Sequence, residues 1–175
     1  MQGRCPSFVT QLTYICICFI MVLYVKSRMQ KGNVSMSENV NVCEYIESNC
    51  VHVEADCFDL EQIMESGQCF RIYKLSLQEQ EKLCKSKGLE NCESMAWYRV
   101  MAADKKVFVC QNGVHLIFFC SKEEYKQFWC HYFDLDFDYR SYEKAIDADD
   151  NYLKSAFAYG KGIRILRQDP FEMLI

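Results

Sequence analysis

The sequence contains no C-x-x-C pair, although 12 of its 175 residues are cysteine. That absence removes the signature of zinc ribbons and of thioredoxin-like motifs, and so argues against a thiol-rich redox protein. Cys43, Cys50 and Cys57 recur at intervals of seven, too short a series to define a repeat. Other cysteines lie in apolar runs: Cys69 in QCF, Cys110 in VFVC and Cys120 in IFFC. Such settings predict buried, reduced thiols that pack as small hydrophobes, rather than a disulfide framework. Histidine is scarce too, and His52, His115 and His131 stand at no ligand spacing, so neither a metal nor a cofactor is expected. Nor is there an excess of positive charge. The formal net charge is -4, which argues against a chain that meets nucleic acid with its whole surface but allows a local basic patch. What is present is a folding composition, 50% hydrophobic and 14% aromatic, enough for one domain with a sizeable core or a small domain with appendages.

One stretch lacks charge altogether. Residues 8–25, FVTQLTYICICFIMVLYV, reach the lower length limit of a membrane-spanning helix. Arg4 precedes the run and Lys26, Arg28 and Lys31 follow it, a balance that would keep the body of the protein on the cytoplasmic side. No small-x-small cleavage site follows, which disfavours a cleaved signal peptide. A second reading treats residues 1–35 as upstream sequence and Met36 as the start of a soluble domain. The residues themselves leave both readings open.

Residues 49–58 alternate apolar and polar around Val51, Val53 and Ala55, the pattern of a half-buried strand. In the following DLEQIMESG, Asp59 is placed to cap a helix and Gln62, three residues on, to complete a capping box. Gly67 closes that helix as a residue tolerant of the left-handed conformation. QCFRIYK, residues 68–74, reads as a strand, and the polar run 76–94 as a surface excursion. Residues 95–120 hold three apolar or alternating runs separated by ADK and NG, which predicts an antiparallel meander with a hairpin turn centred on Asn112 and Gly113. Ser121 and Glu124 make a second capping box. Behind it, Tyr125, Phe128, Trp129, Tyr132 and Phe133 recur at helical spacing as an aromatic face to be packed on the sheet. FDLDFDY then reads as an acidic-aromatic linker, with short helices around 141–147 and 150–159 stopped by Gly160 and Gly162. The sum is an α+β domain over residues 36–160, an antiparallel sheet of about five strands with packed helices, and a segment 161–175 leading out of it.

That last segment ends in LRQDPFEMLI. Asp169, Pro170 and Glu172 have the spacing of a helix start, yet a helix over Pro170–Ile175 is far shorter than the roughly 12–15 residues needed for marginal stability in water. The expectation is that the chain is a fragment whose next domain is missing. Lys154, Lys161, Arg164 and Arg167 gather near this exit against the acidic average. They are candidates to touch phosphate, the alternative being solvated charge or, for Arg167, a pairing with Asp169 or a carboxylate of the following domain.

Three stretches together, FDLEQIMESGQCFR at 58–71, YFDLDFDY at 132–139 and GIRILRQDPFEMLI at 162–175, resemble the 8-oxoguanine DNA glycosylase family. The likeness covers residues 43–175, and the third stretch is its most specific part. One departure is Ile72, where the family often carries Trp after the Phe-Arg pair. The resemblance implies a TBP-like N-terminal domain of a monomeric base-excision repair enzyme. Its partner would be double-stranded DNA containing oxidised guanine, placing it in the nucleoid or nucleus, and its target base is extruded for inspection. It further implies glycosylase and AP lyase chemistry by a Schiff-base lysine and an aspartate. Both lie in the helix-hairpin-helix domain that opens at R-x-L-R-Q-D-P, so no catalytic residue is assigned here and the chain is expected to be inactive alone. The residue carried over is Gly67, whose backbone carbonyl would accept from N7–H of 8-oxoguanine, where guanine offers only another acceptor. The competing hypothesis is a membrane-anchored module, held by residues 8–25, that binds DNA or protein without chemistry.

Overall fold

The computed structural model describes residues 45–47, 50–87 and 94–172. The charge-free run 8–25, and the choice between anchor and upstream sequence, lie outside the described residues. Among the described residues no helix is long and apolar enough to cross a membrane. The larger of two compact units, within Val40–Phe137 and Gly162–Ile175, contains the sheet, and the smaller has Asp138–Lys161 as its described part.

The sheet is antiparallel throughout and has the order β1-β2-β6-β5-β4-β3. Its strands are β1 (Tyr45–Glu47), β2 (Cys50–Glu54), β3 (Ile72–Lys74), β4 (Ala96–Ala102), β5 (Lys105–Asn112) and β6 (His115–Phe118). The expected meander is present as β4, β5 and β6, and the expected half-buried strand as β2, with Val51, Val53 and Ala55 all buried. The β5–β6 turn differs by one position from the expectation. Asn112 pairs with His115, so Gly113 and Val114 form the two-residue loop, and of these only Gly113 has positive φ (59°). Glycine at the first loop position suits the type II′ turn. Residues 68–71 lie outside β3: Gln68 bonds to residues 164, 166 and 168, while the Arg71 carbonyl accepts from Met101 N–H (3.0 Å) just ahead of the β3–β4 ladder.

Alternation along the strands separates two apolar layers. Val51, Val53, Val100, Val107, Val109, Leu116 and Phe118 face the main core. On that face sit α1 (Leu60–Glu65), through Leu60 and Ile63, and α3, an α-turn over Lys122–Glu124, a π-helical stretch over Tyr125–Trp129 and a last α-turn over Cys130–Tyr132. In the π stretch Cys130 N–H donates to the Tyr125 carbonyl, five residues back. The wider turn leaves Tyr125, Trp129, Tyr132 and Phe133 all buried, so the aromatic face is as expected although the helix is not regular. On the opposite face Leu75, Cys84, Trp97, Cys110 and Ile117 form a smaller layer under α2 (Leu77–Lys87). This helix replaces the surface excursion expected over 76–94. Its signal was the start S-L-Q-E, where the Glu79 carboxylate accepts from both Ser76 N–H (3.0 Å) and Ser76 Oγ (2.8 Å). The same bonds hold the Glu79 carboxyl below its usual pKa.

Most described cysteines are free thiols, as expected, with Cys69, Cys110 and Cys120 buried. Cys84 is the correction: it is disulfide-bonded. In the smaller unit α4 (Arg140–Lys144) and α5 (Asn151–Tyr159) fall where two short helices were expected, α5 capped by Asp150 Oδ1 accepting from Leu153 N–H (2.8 Å).

Candidate functional site

The loop that follows α1 is built from both ends of that helix. Asp59 caps it as the sequence implies, Oδ1 accepting from the N–H groups of Glu61 (2.9 Å) and Gln62 (3.1 Å). The capping box, however, is not closed by Gln62. Asp59 N–H donates instead to the carbonyl of Gly162 (2.8 Å), and Gln62 Oε1 accepts from Gly162 N–H (3.3 Å). A residue 100 positions away has replaced the local partner. Only glycine allows this approach, since a Cβ at Gly162 would lie 2.4 Å from Asp59 Cβ.

At the other end Ser66 caps the helix and Gly67 follows with φ +72°, the left-handed residue the sequence called for. Gly67 is exposed, and its carbonyl accepts no hydrogen bond among the described residues. The flanking residues are tied tightly. Ser66 Oγ donates to the Ile63 carbonyl (2.6 Å) and accepts from Gln68 Nε2 (2.9 Å). Gln68 Nε2 also donates to the Arg164 carbonyl (2.9 Å), while its Oε1 accepts from Leu166 N–H (3.0 Å). Gln168 Nε2 donates to the Gln68 carbonyl (2.6 Å). Beneath the loop the buried Tyr132 hydroxyl donates to Cys69 Sγ (3.5 Å). Burial, reinforced by that bond, pushes the Tyr132 hydroxyl far above its ordinary pKa, so the floor of the loop is uncharged.

The segment from Gly162 to Gln168 therefore runs along α1 and its C-terminal loop, not away from the sheet. The acidic-aromatic run FDLDFDY is partly built into the core, although Asp136 is exposed. Asp134 is 2% exposed, and Leu135 is fully buried. Beyond Gln168, Asp169 Oδ1 accepts from Phe171 N–H (2.8 Å), so the expected helix start is formed as a turn. Glu172 does not close a capping box there. Its carboxylate binds Arg71 NH1 (2.8 Å) and the Ala103 N–H in the β4–β5 turn. Residues 173–175, where the helix was to continue, lie outside the described ones.

The four basic candidates take different roles. Arg164 is 4% exposed and donates to the carbonyls of Asp56 (2.9 Å), Cys57 (3.2 Å), Asp134 (2.6 Å) and Phe137 (3.1 Å). Two of those acceptors belong to residues in the left-handed region, Cys57 (φ 53°) and Asp134 (φ 52°), a conformation that costs a non-glycine residue about 1–2 kcal/mol. Its charge is thus spent on joining three chain segments, which corrects its reading as a phosphate contact. Arg167 grips the Asp134 carboxylate with Nε and NH2, both 2.6 Å from Oδ1, and keeps 41% of its side chain exposed. Asp134 is therefore its partner, in place of Asp169. Lys161 and Lys154 belong to the smaller unit. Lys161 Nζ is 3.7 Å from Glu143 Oε2, and Lys154 Nζ donates to the Ala148 carbonyl. Gln68, Gln168 and Asp134 carried no local signal, because the partners that place them are remote in sequence.

The described loop presents a backbone acceptor on a rigid support and no activated nucleophile, which suits recognition. Comparison with known proteins gives the same direction. The family model described as 8-oxoguanine DNA glycosylase, N-terminal domain, matches residues 50–174. The fold is similar to that of Clostridium acetobutylicum 8-oxoguanine glycosylase/lyase in its apo-form, with 33% identity and TM-score 0.57 over 78% of this chain and 41% of that one. The same enzyme in complex with double-stranded DNA containing cytosine opposite 8-oxoG gives 32% identity and TM-score 0.57 over 77% and 40%. MBOgg1 in complex with a low-affinity DNA ligand gives 30% identity and TM-score 0.59 over 74% and 39%. The chain thus spans about two fifths of the length of the solved structures it matches. A search of curated proteins gives no match. The antiparallel sheet with its packed helices, the motif-bearing loop at Gly67 and the match over residues 50–174 place this chain in the 8-oxoguanine DNA glycosylase family, through its N-terminal domain.

Proposed function

We propose that this chain supplies the lesion-reading part of base-excision repair of oxidised guanine in double-stranded DNA, with the carbonyl of Gly67 as the group that meets N7 of the extruded base. The observation that carries the reading is the state of that carbonyl: it stands on an exposed loop, at positive φ, without a hydrogen-bond partner among the described residues. A carbonyl can only accept. 8-Oxoguanine offers it N7–H, whereas guanine would set acceptor against acceptor at a cost of about 1–3 kcal/mol. Glycine suits the position because it accepts the left-handed backbone and lets a base come close. Arg167 and Lys161 are the phosphate contacts of this reading, since each keeps a partly exposed cationic head. Bond cleavage and the lyase step belong to a helix-hairpin-helix domain, and no described Lys or Asp is given either catalytic role. The protein acts as a monomer wherever the DNA is held, nucleoid or nucleus.

The test is the affinity of the protein for two duplexes that differ only in 8-oxoguanine or guanine opposite cytosine. Gly67→Ala is expected to lower the preference for the lesion roughly tenfold while general DNA binding holds. Equal loss on both duplexes would overturn the assignment.

A further inference from the structure

Gly67 alone does not determine where its carbonyl points. A peptide group is planar and trans, so the Gly67 carbonyl and the Gln68 N–H lie on opposite sides of one rigid unit. Holding that N–H therefore aims the carbonyl. Ser66 Oγ accepts from Gln68 N–H at 3.5 Å, and is itself anchored by its bond to the Ile63 carbonyl (2.6 Å). The next peptide is held as well, since Gln168 Nε2 grips the Gln68 carbonyl (2.6 Å). Between them the Gln68 carboxamide spans Arg164 and Leu166, donating to the carbonyl of one and accepting from the N–H of the other. This is the bonding a neighbouring strand's backbone would supply, here provided by a side chain. Every polar atom of the Gln68 side chain and its backbone carbonyl is thus engaged with Ser66 or the 164–168 segment.

We infer that Ser66 and Gln68 are positioning residues for base discrimination: they set the orientation of the Gly67 carbonyl and couple it to the 164–168 segment. The inference rests on the reading of Gly67 as the lesion reader. Neither residue touches the base. Each acts by narrowing the directions the carbonyl can take, so that acceptor faces acceptor when guanine is presented. A loop freed from these bonds can turn the carbonyl aside and tolerate the normal base.

The experiment combines two readouts on the full chain. The first is the ratio of affinities for the 8-oxoguanine and guanine duplexes in Ser66→Ala, Ser66→Thr, Gln68→Met and Gly67→Ala. The second is the 13C shift of the Gly67 carbonyl and amide exchange at Leu166, read by NMR without DNA. Ser66→Ala and Gln68→Met are expected to lower the affinity ratio roughly fivefold, chiefly through tighter guanine binding. Gln68→Met should also speed exchange at Leu166, and both variants should move the Gly67 carbonyl shift. Ser66→Thr keeps the hydroxyl and is expected to restore the wild-type ratio and shift. A purely structural role would weaken both duplexes equally and make Thr no better than Ala, which overturns the inference. An unmoved Gly67 carbonyl shift in both Ser66→Ala and Gln68→Met also overturns it. If Gly67→Ala keeps the wild-type ratio while the NMR shifts behave as expected, the lesion-reader assignment fails and the positioning geometry stands.

Discussion

The two faces of the sheet are built to different standards. The main face buries Trp129, Tyr125, Phe118, Phe133, Leu60 and Ile63 almost completely, with aromatic rings in edge contact such as Phe58 on Phe133 at 5.6 Å. Among the described residues the opposite face has a smaller cluster, Leu75, Cys84, Trp97, Cys110 and Ile117, with Phe119 stacked on Trp97 at 5.1 Å. It also leaves Trp97 Nε1 and Arg99 Nε without hydrogen-bond partners among the described residues. An unsatisfied buried donor costs about 1–3 kcal/mol, so this face offsets part of its own apolar gain. The Gly67 loop and the segment that braces it are attached to the main face, through Leu60, Ile63, Cys69 and Leu166. The carbonyl proposed as the lesion reader is thus mounted on the better-packed side.

The largest expected effect is a test of that asymmetry. Trp129→Ala should destabilise by about 3–5 kcal/mol in urea unfolding, from lost burial, a cavity and the lost Nε1 bond to Glu124 Oε1 (2.8 Å). Leu83→Ala, on α2 and half-buried against the smaller cluster, should cost about 1 kcal/mol. Equal costs would abolish the distinction between the faces. A second pair compares arginines. Arg164→Met strands carbonyls that now share one guanidinium and should cost about 3 kcal/mol. Arg99→Met removes an unpartnered Nε and a stacking contact 5.3 Å from the Tyr73 ring, so thermal unfolding should move little, by less than about 1 kcal/mol.

The smallest effect concerns protons. Burial pushes the thiols of Cys110, on the thin face, and Cys120, on the main face, up to about 12 from an ordinary 9.0. A thiol raised on folding contributes stability that is complete below the unfolded value and lost as pH climbs from about 9 to about 12. At pH 8 both should react with a thiol reagent far more slowly than the half-buried Cys57 and Cys130. Faster labelling of Cys110 than of Cys120 would show that the thin face opens on its own.

How much of this was legible in advance varies by element. Strands β2, β4, β5 and β6 were readable because alternation is a local consequence of the pleat. So were the caps at Asp59 and Ser121, whose acceptors reach N–H groups within three residues. Helix α2 is hard to read from sequence because its exposed face is polar and the S-L-Q-E start also suits a loop. The aromatic helix was legible in its buried face but not in its π turn, since five-residue hydrogen bonding follows from packing.

For the candidate site the division is sharper. Gly67 could be named from its motif and from the need for a left-handed residue after a helix. The sequence by itself determined strands β2, β4, β5 and β6, the caps at Asp59 and Ser121, the family and the left-handed Gly67, because each is written in residues close together in the chain. Only the tertiary structure decided that Gly162 would take over the capping of Asp59, that Arg164 would be buried among carbonyls, and that Gln68 would pair with residues 164 and 166. Those contacts join positions between 30 and 108 residues apart, and their geometry exists only once the sheet has brought the segments side by side.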